Sequence, residues 1–260
     1  MGVPVAFLAP ARPFSVGPLF GGSKLAIDRD QFQQQWFRRF GSANPERMNV
    51  PFWMEQVRSK EDAYAVRKKF HFDPDGPVWC FDRYGMSRTL LPDGRVIYIA
   101  GEHEDGYDPD FCIYNDVVLE HLDGSIDIFG YPRELFPPTD FHTATLINDS
   151  IYVIGTLGYV DERRPGETPV YRLDVDSMAI SFVETTGENP GWLFKHEAVA
   201  NTGGTAIFVW GGELYSEPRV KSLPNWYGYG LDLRTMKWMR LEPSAVVRSA
   251  DENGRFMREW

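Results

Sequence analysis

The stretch Asp140-Phe-His-Thr-Ala-Thr-Leu-Ile147, Asn148-Asp149, Ser150-Ile-Tyr-Val-Ile-Gly155 decides the fold. A strand of small and β-branched residues meets an Asn-Asp turn, then a strongly apolar strand that ends in glycine. That is the pattern of a β-hairpin. It occurs twice more. Upstream, Arg83-Tyr-Gly-Met-Ser-Arg-Thr-Leu-Leu91 leads through Pro92-Asp93-Gly94 into Arg95-Val-Ile-Tyr-Ile-Ala-Gly101. Downstream, Phe194-Lys-His-Glu-Ala-Val-Ala200 leads through residues 201–204 into Thr205-Ala-Ile-Phe-Val-Trp-Gly-Gly212. Met86, His142 and His196 hold equivalent positions, 56 and 54 residues apart, and Gly101, Gly155 and Gly211 follow at 54 and 56. A fixed period of this kind marks a repeat architecture.

Each glycine is followed by a long polar loop and a second strand pair. The third strands read Ile113-Tyr-Asn-Asp-Val-Val118, Val170-Tyr-Arg-Leu-Asp-Val175 and Tyr229-Gly-Leu-Asp-Leu233. The last strands are expected over residues 125–129, 179–183 and 237–241. Each repeat therefore holds four strands. On His142-Thr143-Ala144-Thr145, the glycine after each apolar strand, the Tyr-Asn-Asp-Val element at 114–117 and the Trp238 strand, residues 79–242 resemble the kelch repeat of β-propellers. Three departures stand out. Only the third copy keeps a full double glycine, Met86 replaces the histidine in the first, and Ile126 and Ile180 replace Trp238.

The resemblance implies a mainly β chain: a kelch-like β-propeller with three recognisable four-stranded blades and a short helical N-terminal segment. One blade cannot bury both its faces alone, and propellers usually close with four to eight. Three copies fall short. A degenerate fourth blade, N-terminal helices over an open edge, or a homodimer would each close the gap.

Residues 1–77 read differently. Phe32, Trp36, Phe37 and Phe40 form an apolar stripe at helical period behind Asp28 and Asp30. A second helix is expected from Ser59, with Ser59, Glu61 and Asp62 as a capping pattern and Ala63, Val66 and Phe70 as its apolar face. Val3 to Leu8 or Pro51-Phe52-Trp53 could add strands. The turn-rich Asp73-Pro74-Asp75-Gly76-Pro77 marks a boundary. The expected organisation is a helical arm and segment over 1–77, repeats over 78–245 and a tail over 246–260.

The net charge of −10 argues against a nucleic-acid binder working through bulk positive charge. Residues 1–77 carry 11 Lys/Arg against 8 Asp/Glu, and the remainder 16 against 29. Two cysteines fit a reducing compartment. The first 22 residues lack a basic n-region, and Pro4, Pro10, Pro13 and Pro18 interrupt any helix. No apolar run reaches membrane-spanning length. These features lead to the expectation of a cytoplasmic protein without membrane or nucleic-acid partners.

Three groups are candidates for function. Residues 102–112 hold five carboxylates, one imidazole and one thiol. Such crowding repels unless a cation sits within it. Asp105, Asp108 and Asp110 would suit Ca²⁺, whereas His103, Glu104, Asp108 and Cys112 would suit Fe²⁺ or Zn²⁺. Glu104, Asp108 and Cys112 form a Glu-x3-Asp-x3-Cys spacing similar to the iron-binding pattern of plant specifier proteins, which are kelch propellers. A solvated acidic loop is the plainer reading, with Cys112 an apolar core residue beside Phe111 and Ile113. His142 and His196 fall on inner strands and are catalytic candidates, with Asp140 and Glu197 near in sequence. Backbone hydrogen bonding between strands is their plainer role. Tyr159, Arg163, Arg164, Trp192, Tyr215, Trp226 and Tyr227 lie in or beside loops expected to gather on one rim, as recognition surfaces do. The leading expectation is therefore a binding or scaffold module for a protein or peptide, with no cofactor required. The alternative is a metal-dependent lyase or hydrolase using the acidic loop and the two histidines.

Overall fold

The computed structural model describes residues 27–103, 111–216, 222–241, 249–250 and 256–257. It is mainly β, with three short helices near the start of the described chain.

Helix α1 spans Arg29–Gln35. The Asp28 carboxylate accepts from the Gln31 amide while the Gln31 side chain accepts from the Asp28 amide, which closes a capping box. The helix ends before the stripe does: Trp36 is its C-cap, and Phe37, 45% exposed, bridges to Val78. Helix α2 spans Pro51–Ser59, where a strand had been one expectation. Pro51 stands at the first helical position, where a missing amide costs nothing and the fixed φ suits a helix. Its apolar neighbours Phe52, Trp53 and Val57 then fall on one buried face. Helix α3 spans Ala63–Phe70 and is capped by Asp62, which accepts from the Ala65 amide at 2.8 Å. Ser59 closes α2 instead of opening α3.

The repeats form three antiparallel four-stranded sheets, each in chain order across the sheet. The first holds Ser87–Leu90, Val96–Ile99, Val117–Glu120 and Ile126–Gly130. The second holds Thr143–Ile147, Ser150–Ile154, Val170–Asp174 and Ile180–Phe182. The third holds Glu197–Ala200, Ala206–Trp210, Gly228–Asp232 and Lys237–Arg240. The opening strand of the second sheet packs beside those of the first and third. Beyond the fourth strand of the first sheet lies Glu46–Arg47, paired antiparallel to it. Beyond that of the third lies Thr186–Gly187, paired parallel.

Alternation along the strands gives every sheet two apolar faces. Ile97, Ile99, Val117 and Leu119 of the first sheet meet Ile151, Val153, Leu173 and Ile180 of the second. The other face of the second, with Tyr152, Ile154 and Val170, meets Ile207, Val209, Leu231 and Trp238 of the third. The remaining face of the first sheet, with Val96, Tyr98, Val118 and Ile128, is covered by the helices through Phe32, Phe52, Trp53 and Val66. Gly155 sets the spacing between second and third sheets. Its φ is +74°, and an added Cβ would lie 2.8 Å from the His196 ring and closer still to the Leu193 carbonyl. No side chain larger than hydrogen fits there.

No helix among the described residues is long and apolar enough to cross a membrane. The described part of the C-terminal tail forms a two-residue strand pair, Ser249–Ala250 with Phe256–Met257.

Candidate functional site

The sequence candidates separate into three places. Glu104, Asp105, Asp108 and Asp110 lie outside the described residues. Cys112 pairs with His103 across two short strands and is buried. Burial pushes its thiol pKa up, and that of Cys80 to about 11, so neither is a thiolate at neutral pH. His103 is also buried, its Nδ1 3.1 Å from the Asp82 carbonyl. Among the described residues, no three His, Cys, Asp or Glu side chains are placed to share a metal ion.

His142 and His196 sit in successive seams between the sheets. His142 Nε2 is 2.8 Å from the Ser87 hydroxyl of the sheet before it. His196 Nε2 is 2.9 Å from the Thr143 hydroxyl of the sheet before it. Burial lowers both pKa values to about 3, with His142 adding to the effect at His196. A base so weak takes no proton from a hydroxyl near neutral pH. Among the described residues, neither Nδ1 has a hydrogen-bond partner, so no carboxylate orients either ring. Ser87 and His142 are thus not arranged as a nucleophile and its base.

Most of the aromatic and arginine group gathers on the loop that links the middle strands of the second sheet. Asp140, wholly buried, anchors that loop: its carboxylate accepts from the Gly158 amide at 2.7 Å and the Thr156 hydroxyl at 3.1 Å. The Trp192 indole donates to the Leu157 carbonyl at 3.0 Å. Arg163 donates to the Leu157 and Gly158 carbonyls and lies 4.7 Å over the Tyr215 ring. The Tyr159 hydroxyl accepts from the Ile113 amide at 2.9 Å, and Arg133 lies over its ring. Arg164 is exposed but turns back to the Asp161 and Arg163 carbonyls. Trp192 and Tyr215 are buried instead of displayed on the rim. Trp226 and Tyr227 lie apart on the third sheet, both exposed, with Arg240 5.0 Å over the Tyr227 ring.

This loop forms one wall of a cleft of about 700 Å³. The opposite walls are the linker from first to second sheet and the strand end around Phe182. The aromatic part of the cleft lining is Tyr171 and Phe182, edge to face at 5.6 Å, with buried Phe136 behind Tyr171 at 5.1 Å. Burial, with Glu162 nearby, raises the Tyr171 hydroxyl to about 12. Arg133 and Glu162 pair across the cleft at 2.5 Å. Glu134, Glu167 and Glu184 line it as exposed carboxylates. Of the sequence candidates, Arg164 and Trp192 line the cleft. Its linker wall carried a readable signal, the proline run around Pro137 and Pro138. Phe182 and Glu184 carried none, since a strand end looks alike whether or not it borders a cleft.

No protein-family model matches the chain, and no curated protein matches it either.

Proposed function

We propose that the chain is a binding module, a kelch-like propeller sector of three blades that recognises a protein or peptide partner in the cleft on its second sheet. The cleft itself carries this reading. Its volume falls within the range of ligand-binding pockets. Its aromatic lining supplies contact area, and flanking charges supply orientation. Asp140, Trp192 and Arg163 hold the wall loop by hydrogen bonds to its backbone, which lowers the ordering cost of binding. The buried histidines fit the same reading as seam-sealing groups. The metal-dependent reading rests on Glu104, Asp108 and Cys112, and no observation among the described residues favours it.

Selection of random displayed peptides on the folded protein tests the proposal. Enriched peptides should lose binding to Glu134→Trp, which fills the cleft from an exposed position. Failure to enrich any peptide above an unrelated β-protein control would overturn it.

A further inference from the structure

The three sheets differ at their outer edges. The first is extended by Glu46–Arg47 and the third by Thr186–Gly187, while the second ends at Ile180–Phe182. On that last strand, hydrogen-bonded and non-bonded positions alternate. Val183 donates inward to the Val170 carbonyl, and Asp174 to the Ala179 carbonyl. The Ile180 and Phe182 amides and carbonyls therefore point outward. At Ile180 the Asn44 side chain satisfies both, its amide donating at 2.8 Å and its carbonyl accepting at 2.9 Å. At Phe182, among the described residues, no hydrogen bond reaches either group.

The open edge has a cause in the sequence. The segment that enters the third sheet, around Thr186, is free to run along that sheet's outer strand and does so. The one that enters the second contains Pro132, Pro137 and Pro138, which lack amide donors. Asn115 also draws it inward by donating to the Tyr131 and Phe136 carbonyls. Among the described residues, the place of a fifth strand is thus left open beside Phe182, and it borders the cleft.

We propose that an extended basic peptide fills this place, adding as a fifth strand along Phe182 with its side chains over the cleft. Edge addition needs outward backbone groups and room for alternate side chains, and both are present. Phe182 is 56% exposed, and its ring belongs to the aromatic lining. Glu134, Glu167 and Glu184 line the path, whereas Arg133 is neutralised by Glu162 and Arg164 is turned to its own loop. The balance favours lysine and arginine in the occupant. This inference rests on the reading of the cleft as a peptide site, and its test separates the two.

The probes are an acetylated peptide of alternating lysine and valine and its glutamate–valine counterpart, measured by calorimetry. Phe182→Pro removes the outward donor without touching a ladder bond, and Phe182→Ala keeps the donor but not the ring. The expected result is that the lysine peptide binds, Phe182→Pro weakens it by roughly tenfold and Phe182→Ala by less, as loss of a backbone bond with added ring hindrance requires. Glu184→Lys should weaken it further at low salt than at high salt. Amide exchange at Phe182 should slow in the complex, a readout that needs no variant. Unchanged affinity in Phe182→Pro with loss in Glu134→Trp would overturn edge addition while leaving the cleft as the site. Preference for the glutamate peptide, or no binding of either, would also overturn it, with the displayed-peptide selection still deciding the cleft.

Discussion

The seams between sheets and the seam between the first sheet and the helices bury polar groups in opposite ways. Between sheets, the device is neutral and repeated: a hydroxyl on one sheet holds the histidine of the next, Ser87 with His142 and Thr143 with His196. Against the helices it is charged and unique. Arg83, buried, pairs bidentately with Asp116, donates to the Cys80 and Ala100 carbonyls, and lies 3.4 Å over the Tyr114 ring. The Trp79 indole also donates to Asp116 at 2.8 Å and stacks on Trp53 of α2. The equivalent of His142 on this side is Met86, packed at the margin of the helical core. The first copy can offer a hydroxyl forward but receives none from behind. Among the described residues helices, not a sheet, lie on that side of the first copy, which accounts for its departure from the other two.

Breaking the charged seam should have the largest effect. Asp116→Ala leaves a buried guanidinium without its counter-ion, and the expected loss is about 3–5 kcal/mol in urea unfolding. Asp116→Asn should lose less, because the amide still accepts a hydrogen bond; equal losses would show that charge alone, not packing or the retained hydrogen bond, holds the seam.

The neutral seams should be the acid-sensitive ones. Folded His142 and His196 stay unprotonated down to about pH 3, whereas the unfolded chain takes up those protons from about pH 6.5. Their contribution is complete above that pH and falls as pH drops through the window between. At pH 5 each histidine should cost about 2 kcal/mol relative to pH 7. In thermal melts, His196→Gln should flatten the slope over this window; an unchanged slope would remove the histidines from the account.

A finer test puts a histidine where the first copy lacks one. Met86→His should destabilise by about 1–3 kcal/mol, because among the described residues no preceding sheet offers a hydroxyl. A neutral or stabilising outcome would reveal a further sheet or a second chain on that side. Smallest should be Ser87→Ala, at about 1 kcal/mol in urea unfolding, since it removes one neutral hydrogen bond. The same variant should leave the Asp116 seam intact, so adding Asp116→Ala to it should give additive losses.

The repeat was legible because its strands obey local rules: alternation, turn residues and glycine ends located all twelve, although strands at 87, 117, 143 and 197 begin three or four residues later than the expected segments. Helix α1 ran shorter than its stripe because Trp36 and Phe37 follow tertiary contacts with Val78 and Phe72, not helical period. Pro51-Phe52-Trp53 was open to a strand reading because the role of a proline depends on which side of it a helix lies. The loop carrying Tyr159, Arg163 and Arg164 could be located in the sequence, but the burial of Trp192 and Tyr215 against it could not. Least legible was the open edge. It arises from where two linkers run relative to outer strands, and no single segment states that.

The Asn44 side chain carries a consequence in time. It grips Ile180, 136 residues later in the chain. Only Pro45 separates it from Glu46–Arg47, which extends the first sheet. On a ribosome adding about 5–20 residues per second, the early segment must wait on the order of ten seconds for the partner that completes it. Until then, the margin of the first sheet is held by a strand of two residues. Cellular production of this chain should accordingly be sensitive to elongation speed and chaperone supply between these two points.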